Sequence, residues 1–181
     1  ILGISWSDLL VIALLLLATA FGATALAATP PTADIRLRFD AKIAGEPFGC
    51  GRRYPGIGTS RTTLVPTDLR FYVSEVELLR ADGSAAKLAL TPDDLWQFAD
   101  VALLDFENAT GPCRNGTKET NTVLRGTAPA GRYTGLRFAV GVPFALNHGD
   151  PTTAPAPLNL TAMFWTWQSG YKFMKFDAAG Y

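Results

Sequence analysis

The segment Asp68-Leu69-Arg70-Phe71-Tyr72-Val73-Ser74-Glu75-Val76-Glu77-Leu78 is the clearest pointer to the fold class, because it is a strand pattern that changes register midway. Apolar residues occupy every second position from Leu69 to Val73 and then resume at Val76 in the other register. One extra residue restores a single apolar face, so the pattern predicts a β-bulge at Ser74-Glu75. The segment is therefore predicted to be a bulged strand of a sheet.

Strand patterns continue on both sides of this segment. The range Asp34–Ala44 alternates apolar and charged residues, and the range Leu136–Val142 also repeats with period two. Ala81-Asp82-Gly83 predicts a hairpin turn. The chain has 17 Gly, 12 Pro and 11% aromatic residues, a composition typical of many short strands and turns. We therefore expect an all-β fold, namely an antiparallel β-sandwich with long loops and at most short helices.

One helical start is also predicted. Thr91-Pro92-Asp93-Asp94-Leu95-Trp96 places a Thr where an N-cap is favoured and a Pro at the first helical position. The range Val101–Phe106 follows as an apolar run, and we predict that it forms a buried strand.

The first 27 residues have the features of a targeting segment. The range Leu9–Ala20 is an uncharged apolar run, short for a membrane span, and Ala25-Leu26-Ala27 fits a signal-peptide cleavage pattern. We predict a signal peptide over residues 1–27, with an uncleaved N-terminal anchor as the alternative, and a single domain over residues 28–181. Either form places the domain in the periplasm or otherwise outside the cytoplasm. The chain ends shortly after a strand pattern, so we expect truncation at the C-terminus.

Charge and cysteine content narrow the possible functions. The chain has 16 basic and 16 acidic residues, which gives no basic excess for nucleic-acid binding. Its two cysteines, Cys50 and Cys113, lie in loop sequences that contain Gly and Pro. In an oxidising compartment such a pair is more often a disulfide than a metal site. We therefore predict that the two cysteines are bonded to each other.

The range Met163–Phe173 is rich in aromatic residues. It reads Met-Phe-Trp-Thr-Trp-Gln-Ser-Gly-Tyr-Lys-Phe. Period two places Met163, Trp165 and Trp167 on one face, and Gln168-Ser169-Gly170 predicts a turn into a returning strand. A buried core hairpin is the simplest interpretation, because large aromatic side chains contribute most of the buried area of a β protein.

Three side chains offer metal-binding chemistry. His148 is the single histidine of the chain, in the sequence Leu146-Asn147-His148-Gly149-Asp150. Met163 and Met174 carry soft thioethers, which suit copper when an imidazole accompanies them. Methionine alone is typical of core packing. A single histidine does not support a zinc triad or a Ser-His-Asp arrangement.

Five separated blocks of the chain together resemble the metallo-mystery pair four-cysteine motif family, the MbnP-like proteins of copper-linked bacterial gene pairs. The blocks are Pro47-Phe48-Gly49-Cys50-Gly51, Asp68 to Ser74, Leu104-Asp105-Phe106-Glu107, Gly141 to His148, and Met163 to Phe173. The last two blocks are the most specific. The chain has two cysteines where the family has four, and the missing pair would lie beyond Tyr181.

The resemblance implies a periplasmic, non-catalytic protein that binds copper. It also implies a partner, a di-haem cytochrome-c-peroxidase-like (MbnH-like) enzyme, which oxidises a tryptophan of this protein to kynurenine. By this resemblance we assign the oxidation to Trp165 or Trp167, with the choice between them open, and a copper-ligand role to His148.

Two other functions are compatible with these residues. A secreted carbohydrate-binding β-sandwich requires Trp165, Trp167 and Tyr171 to form a flat exposed platform for sugar rings. A secreted hydrolase, the weaker alternative, requires His148 and Asp150 to act as a pair.

Overall fold

The structure is a computed structural model that describes residues 30–114 and 116–181. From Pro31 to Tyr181 these residues form one compact unit. The predicted signal peptide or anchor lies outside the described residues. Among those described, no helix is long and apolar enough to cross a membrane.

Short strands make up most of the regular structure. They are β1 (Thr32–Arg38), β2 (Lys42–Ile43), β3 (Glu46–Pro47), β4 (Tyr54–Ile57), β5 (Thr62–Leu79), β6 (Ala85–Lys87), β7 (Ala89–Leu90), β8 (Gln97–Phe98), β9 (Val101–Asp105), β10 (Val123–Pro129) and β11 (Gly135–Val140), followed after a short helix α1 (Phe144–Asn147) by β12 (Phe164–Thr166), β13 (Gly170–Tyr171) and β14 (Met174–Gly180). Single 3₁₀ turns cover Gly111–Cys113 and Thr161–Met163. The expected all-β fold with at most short helices is confirmed.

Strand β5 is the centre of the larger sheet. It is 18 residues long and pairs antiparallel with β4, β9 and β6 along one edge and with β14 and β11 along the other. The predicted bulge is present, because Arg137 lies opposite Glu77 whereas Ala139 lies opposite Ser74. Glu75 takes φ 53° at this point, so the extra residue lies where the apolar pattern requires it.

Both faces of the larger sheet are covered. One face packs against the smaller sheet, in the order β1-β10-β7. This core contains Val73, Val76, Leu78, Leu88, Leu90, Ala102, Leu104, Leu124 and Ala128. The opposite face packs against the long connection after β11. This second core contains Tyr72, Trp96, Val101, Leu103, Val142, Leu158, Met163 and Tyr171. Residues of β9 therefore alternate between two buried faces, which explains its uninterrupted apolar run.

Two local predictions differ from the structure. The strand predicted over Asp34–Ala44 ends at Arg38, and a two-residue hairpin follows because Ala44 and Gly45 both take positive φ (50° and 85°). The helix predicted from Thr91 is absent. The Oδ1 atom of Asp93 instead accepts the N–H groups of Leu95, Trp96 and Gln97 at 3.2, 2.6 and 2.8 Å. This carboxylate satisfies the backbone donors that a helical start would leave open.

Candidate functional site

Two buried tyrosines hold the long connection against the larger sheet. The hydroxyl of Tyr72 donates to the carbonyl of Pro157 at 3.0 Å, and that of Tyr171 donates to the carbonyl of Leu158 at 2.5 Å. Their rings meet edge to face with centroids 5.6 Å apart. These contacts fix the base of the β12–β13 hairpin on the second core.

The β12–β13 hairpin exposes both of its tryptophans. Trp165 is 66% exposed and Trp167 is 72% exposed. Between Phe164 and Thr166 the register shifts by one residue relative to β13, so Trp165 has no opposite residue. The prediction of a core hairpin is therefore wrong for the two indoles.

Met163 is separated from the two tryptophans. It ends a 3₁₀ turn before β12 begins and is 0% exposed in the second core. The predicted shared face of Met163, Trp165 and Trp167 is therefore wrong, because period-two alternation starts only after this turn. The placement of Met163 favours core packing over metal binding.

Asn147 connects α1 to the hairpin. Its Oδ1 accepts the N–H of Tyr171 at 2.9 Å. A Cβ atom at Gly170, where φ is 75°, would lie 2.4 Å from the Asn147 amide nitrogen. Glycine is therefore required at this turn by conformation and by space. The contact places the next residue, His148, beside the hairpin.

His148 contacts the hairpin directly. Its Nδ1 lies 2.9 Å from the carbonyl oxygen of Trp167. A carbonyl only accepts hydrogen bonds, so Nδ1 carries the proton in this contact, and in the neutral form of the imidazole Nε2 keeps its lone pair. The 84% exposed ring of Phe144 packs edge to face on the imidazole, with centroids 5.4 Å apart. The geometry provides an exposed imidazole whose Nε2 has the electronic state required of a metal ligand.

A shallow cavity lies on the Trp165 side of the hairpin. It has a volume of about 190 Å³ and is lined by Trp165, Lys172, Met174, Lys175, Phe176 and Asp177. Met174 is 55% exposed, so its thioether is accessible. The structure thus brings His148 to Trp167 and Met174 to the neighbourhood of Trp165.

Lys172 covers one face of Trp165. Its Nζ atom lies 4.5 Å from the centroid of the indole ring and also donates to the carbonyl of Ala162 at 3.0 Å. This cation–π contact was not predicted from the sequence. The spacing of Trp165 and Lys172 across a turn is its only signal in the sequence.

Cys50 and Cys113 form the expected disulfide, which closes a sequence separation of 63 residues. One group of three His, Cys, Asp or Glu side chains within residues 30–114 and 116–181 is close enough to share a metal ion. It consists of Cys50, Glu107 and Cys113. Because both sulfurs are in the disulfide, this group offers no thiolate ligand.

A buried charged cluster lies beside Tyr72 on the same face of the larger sheet. Arg70 binds Asp68 through Nε at 2.9 Å and Nη2 at 2.5 Å. Lys175 also pairs with Asp68, and Glu107 lies 3.8 Å from Nη1 of Arg70. Arg70 and Glu107 are fully buried. We define these four residues, together with Asp105, as the charged cluster.

Asp105 is the carboxylic acid of the charged cluster whose pKa is raised. Thr117 Oγ1 lies 3.0 Å from Asp105 Oδ2 and 3.1 Å from the carbonyl of Glu119. The hydroxyl has one proton and can donate to only one of these two acceptors at a time; when it donates to the carboxylate it lowers the pKa of Asp105. Burial and the neighbouring Glu107 raise the pKa of Asp105 from 3.8 to about 7. With Asp105 neutral, two cations balance two anions.

The sequence did not predict the charged cluster. Charged residues that alternate with apolar ones in a strand usually face water, and Asp68 and Arg70 follow that pattern. The available signal was that Asp105 ends an apolar run predicted to be buried.

The geometry also bears on the two alternative functions. Tyr171 is 3% exposed, so the three-residue platform required for a carbohydrate-binding surface is absent. Asp150 Oδ1 accepts the N–H and hydroxyl of Thr152, each at 2.8 Å, whereas His148 binds the Trp167 carbonyl. These contacts do not form the His-Asp pair required for a hydrolase.

Comparisons with known proteins identify the family. The MbnP family model matches residues 32–180. The structure of MbnP from Methylosinus trichosporium matches with a TM-score of 0.69 and 34% identity, over 82% of this chain and 55% of that one. The chain thus spans about half the length of that protein, and no curated protein gives a significant match. The family-model match covers nearly all the described residues, and we conclude that the chain belongs to the MbnP family.

Proposed function

We propose that this protein is an exported, copper-associated partner of a di-haem cytochrome-c-peroxidase-like enzyme. The enzyme oxidises Trp165 or Trp167 to kynurenine, and the oxidised protein binds copper. The protein is the substrate in this reaction and has no catalytic role. The disulfide between Cys50 and Cys113 supports export, because such bonds persist in oxidising compartments.

The observation that carries the proposal is the exposure of two adjacent indoles on an anchored hairpin. Tryptophan side chains are usually mostly buried, yet Trp165 and Trp167 are 66% and 72% exposed. A haem protein does not have to enter the core to oxidise either ring. The buried Tyr72 and Tyr171 anchor the base of the hairpin that carries both rings.

The oxidation balances with peroxide as the oxidant. Two equivalents of hydrogen peroxide are reduced to water while two oxygen atoms enter the indole and the C2–C3 bond breaks, which gives N-formylkynurenine. Hydrolysis then releases formate and leaves kynurenine, with a free aromatic amine and a ketone. The haem groups of the partner would supply the redox chemistry that removes the electrons.

The residues fit copper in the kind of donors they offer. Imidazole and thioether are both copper ligands. Nε2 of His148 would supply the nitrogen, since Nδ1 is held by the Trp167 carbonyl at 2.9 Å. The kynurenine amine would supply a second nitrogen, and the exposed thioether of Met174 is a soft donor on the Trp165 side of the hairpin. Copper, when bound, would supply a redox-active ion.

Co-expression with the di-haem partner tests the proposal. Mass spectrometry of the purified protein should place kynurenine at Trp165 or Trp167. Copper should bind the modified protein, and His148→Ala should weaken binding by at least tenfold. Phe144→Ala, which removes a ring packed on the imidazole but no ligand atom, is the matched control and should retain binding. Unmodified hairpin tryptophans alongside an active partner would contradict the proposal.

A further inference from the structure

We propose that Lys172 directs oxidation to Trp167 by holding its ammonium group over the indole of Trp165. This inference rests on the proposed function, because it selects between the two tryptophans of that site. Lys172 acts here as a positioning residue, since it does not itself react.

Hydrogen bonds hold both the side-chain ammonium group and the backbone of Lys172 in place. Nζ lies 4.5 Å from the Trp165 ring centroid and donates to the Ala162 carbonyl at 3.0 Å. The backbone N–H of Lys172 donates to the carbonyl of Met163 at 2.8 Å. In the part of the chain that the structure describes, no carboxylate forms a salt bridge with Lys172. Its positive charge therefore acts on the ring without neutralisation by a partner.

A fixed cation over an indole makes removal of an electron from that ring less favourable. The cation is attracted to the π electrons of the neutral ring. Loss of one electron converts the indole to a radical cation, and the attraction becomes repulsion between two positive charges. Trp165 therefore has the higher oxidation potential of the two indoles while Lys172 is protonated.

Trp167 lacks this protection. Among the described residues, the cations within cation–π distance of a ring are Arg52, Arg53, Arg80 and Lys172, and none lies over Trp167. Trp167 is also the more exposed indole, at 72%. Its first oxidation step transfers one electron to the oxidant and releases the indole N–H proton to water. The absence of a nearby cation and the greater exposure thus both favour oxidation of Trp167.

The position of Trp167 also suits the later metal site. Its carbonyl oxygen already binds Nδ1 of His148 at 2.9 Å. Oxidation of Trp167 would place the kynurenine amine on the residue that orients the imidazole. Oxidation of Trp165 would instead place the amine on the ring covered by Lys172.

A partner-free oxidation of the isolated protein tests the role of Lys172. Azide radical, a small neutral one-electron oxidant that is itself reduced to azide, is generated by radiolysis at limiting dose. Fragment-ion mass spectrometry then measures oxidation at each tryptophan. We expect about a fourfold preference for Trp167 in the unaltered protein, in keeping with the usual strength of a cation–π contact to an exposed ring.

Two variants isolate the effect of charge. Lys172→Gln keeps a hydrogen-bond donor for the Ala162 carbonyl but removes the charge, and it should bring the two tryptophans to within about twofold of each other. Lys172→Arg retains a cation over the ring and should keep the preference for Trp167. Circular dichroism confirms that both variants are folded. An equal ratio in the unaltered protein and in Lys172→Gln would overturn the inference, as would a preference for Trp165.

The same variants separate this inference from the proposed function. On co-expression with the di-haem partner, Lys172→Gln should yield kynurenine at both positions. If the radical assay shows the charge effect but the partner modifies neither tryptophan, the proposed function fails and the role of Lys172 stands. If the partner modifies Trp165 in the unaltered protein, the inference fails and the proposed function stands.

Discussion

The charged cluster and the β12–β13 hairpin reverse the usual distribution of polar and apolar side chains. In the cluster, the guanidinium of Arg70 and the carboxylate of Glu107 are completely buried. In the hairpin, two tryptophans are more than half exposed. Both regions lie along the same face of the larger sheet, with Tyr72 belonging to the core between them. The buried charges pair with one another and stabilise the fold, whereas the exposed indoles add little to the core, so their position points to a role in function.

Nearly all the hydrogen-bonding groups of the charged cluster are paired with other protein groups. Glu107 accepts the N–H groups of Thr117 and Ala109 at 2.6 and 2.9 Å, and Asp68 holds both Arg70 and Lys175. One buried side-chain nitrogen among the described residues, Nη1 of Arg70, has no hydrogen-bond partner. Apart from this nitrogen, the cluster residues bind one another and nearby backbone N–H groups, which supports a structural role.

Arg70→Met is expected to give the largest loss of stability and tests the structural role of the cluster. It leaves Asp68 and Glu107 buried with fewer opposite charges, so the free energy of unfolding should fall by about 3–5 kcal/mol. Urea denaturation measures the change. Arg137→Met is the matched control, because Arg137 pairs with Glu77 on the surface and the loss of an exposed pair should cost far less. An equal loss of stability in both variants would show that the buried cluster contributes no more than a surface ion pair.

Removal of the disulfide is expected to give the next largest effect. The Cys50→Ala, Cys113→Ala double variant should lose about 2–4 kcal/mol of stability, because the bridge restricts a long loop in the unfolded chain. Cys113 is buried but does not belong to the second core, on which the hairpin rests, so radical oxidation of Trp167 in the folded variant should be unchanged. A loss of Trp167 oxidation in folded protein would show that the two regions are coupled.

A third prediction concerns the pH dependence of stability. The pKa of Asp105 is 3.8 in the unfolded reference and about 7 in the folded protein. Between these values the folded protein holds a proton that the unfolded chain releases, so the contribution of Asp105 to stability is fully present below about pH 4 and is lost as the pH rises to about 7. Each pKa unit corresponds to about 1.4 kcal/mol.

Asp105→Asn isolates this contribution. The Asn amide is nearly isosteric with the carboxyl, its oxygen can accept from Thr117 Oγ1 as Asp105 does, and it does not titrate. The difference in unfolding free energy between the variant and the unaltered protein should therefore grow from pH 4 to pH 7 in favour of the variant. A difference that stays constant with pH would show that Asp105 is ionised in the folded protein.

The smallest expected effect on stability belongs to the hairpin tryptophans. Trp165→Phe and Trp167→Phe should each change the free energy of unfolding by less than about 0.5 kcal/mol, the usual range for exposed positions. Trp96→Phe is the matched control, because Trp96 is 8% exposed in the second core and its replacement should cost clearly more. A large loss at Trp167 would indicate a structural role for that indole.

The sequence predicted features that depend on local residue patterns, and it missed features that depend on tertiary contacts. The bulge at Glu75 followed from a break in period two, and the Ala81-Asp82-Gly83 turn from residue type. The exposure of Trp165 did not, because a 3₁₀ turn and a register shift precede it. Likewise, nothing in the sequence near Arg70 shows that β9, β14 and the loop after β9 will enclose it.

The most direct test of the central claim compares tryptophans within one molecule. The purified protein is treated with the di-haem partner and limiting peroxide, and kynurenine is quantified at Trp96, Trp165 and Trp167 by mass spectrometry. The account predicts kynurenine on the hairpin, mainly at Trp167, and none at the buried Trp96. Peroxide consumption with no kynurenine on the hairpin, or modification of Trp96 to the same extent, would contradict it.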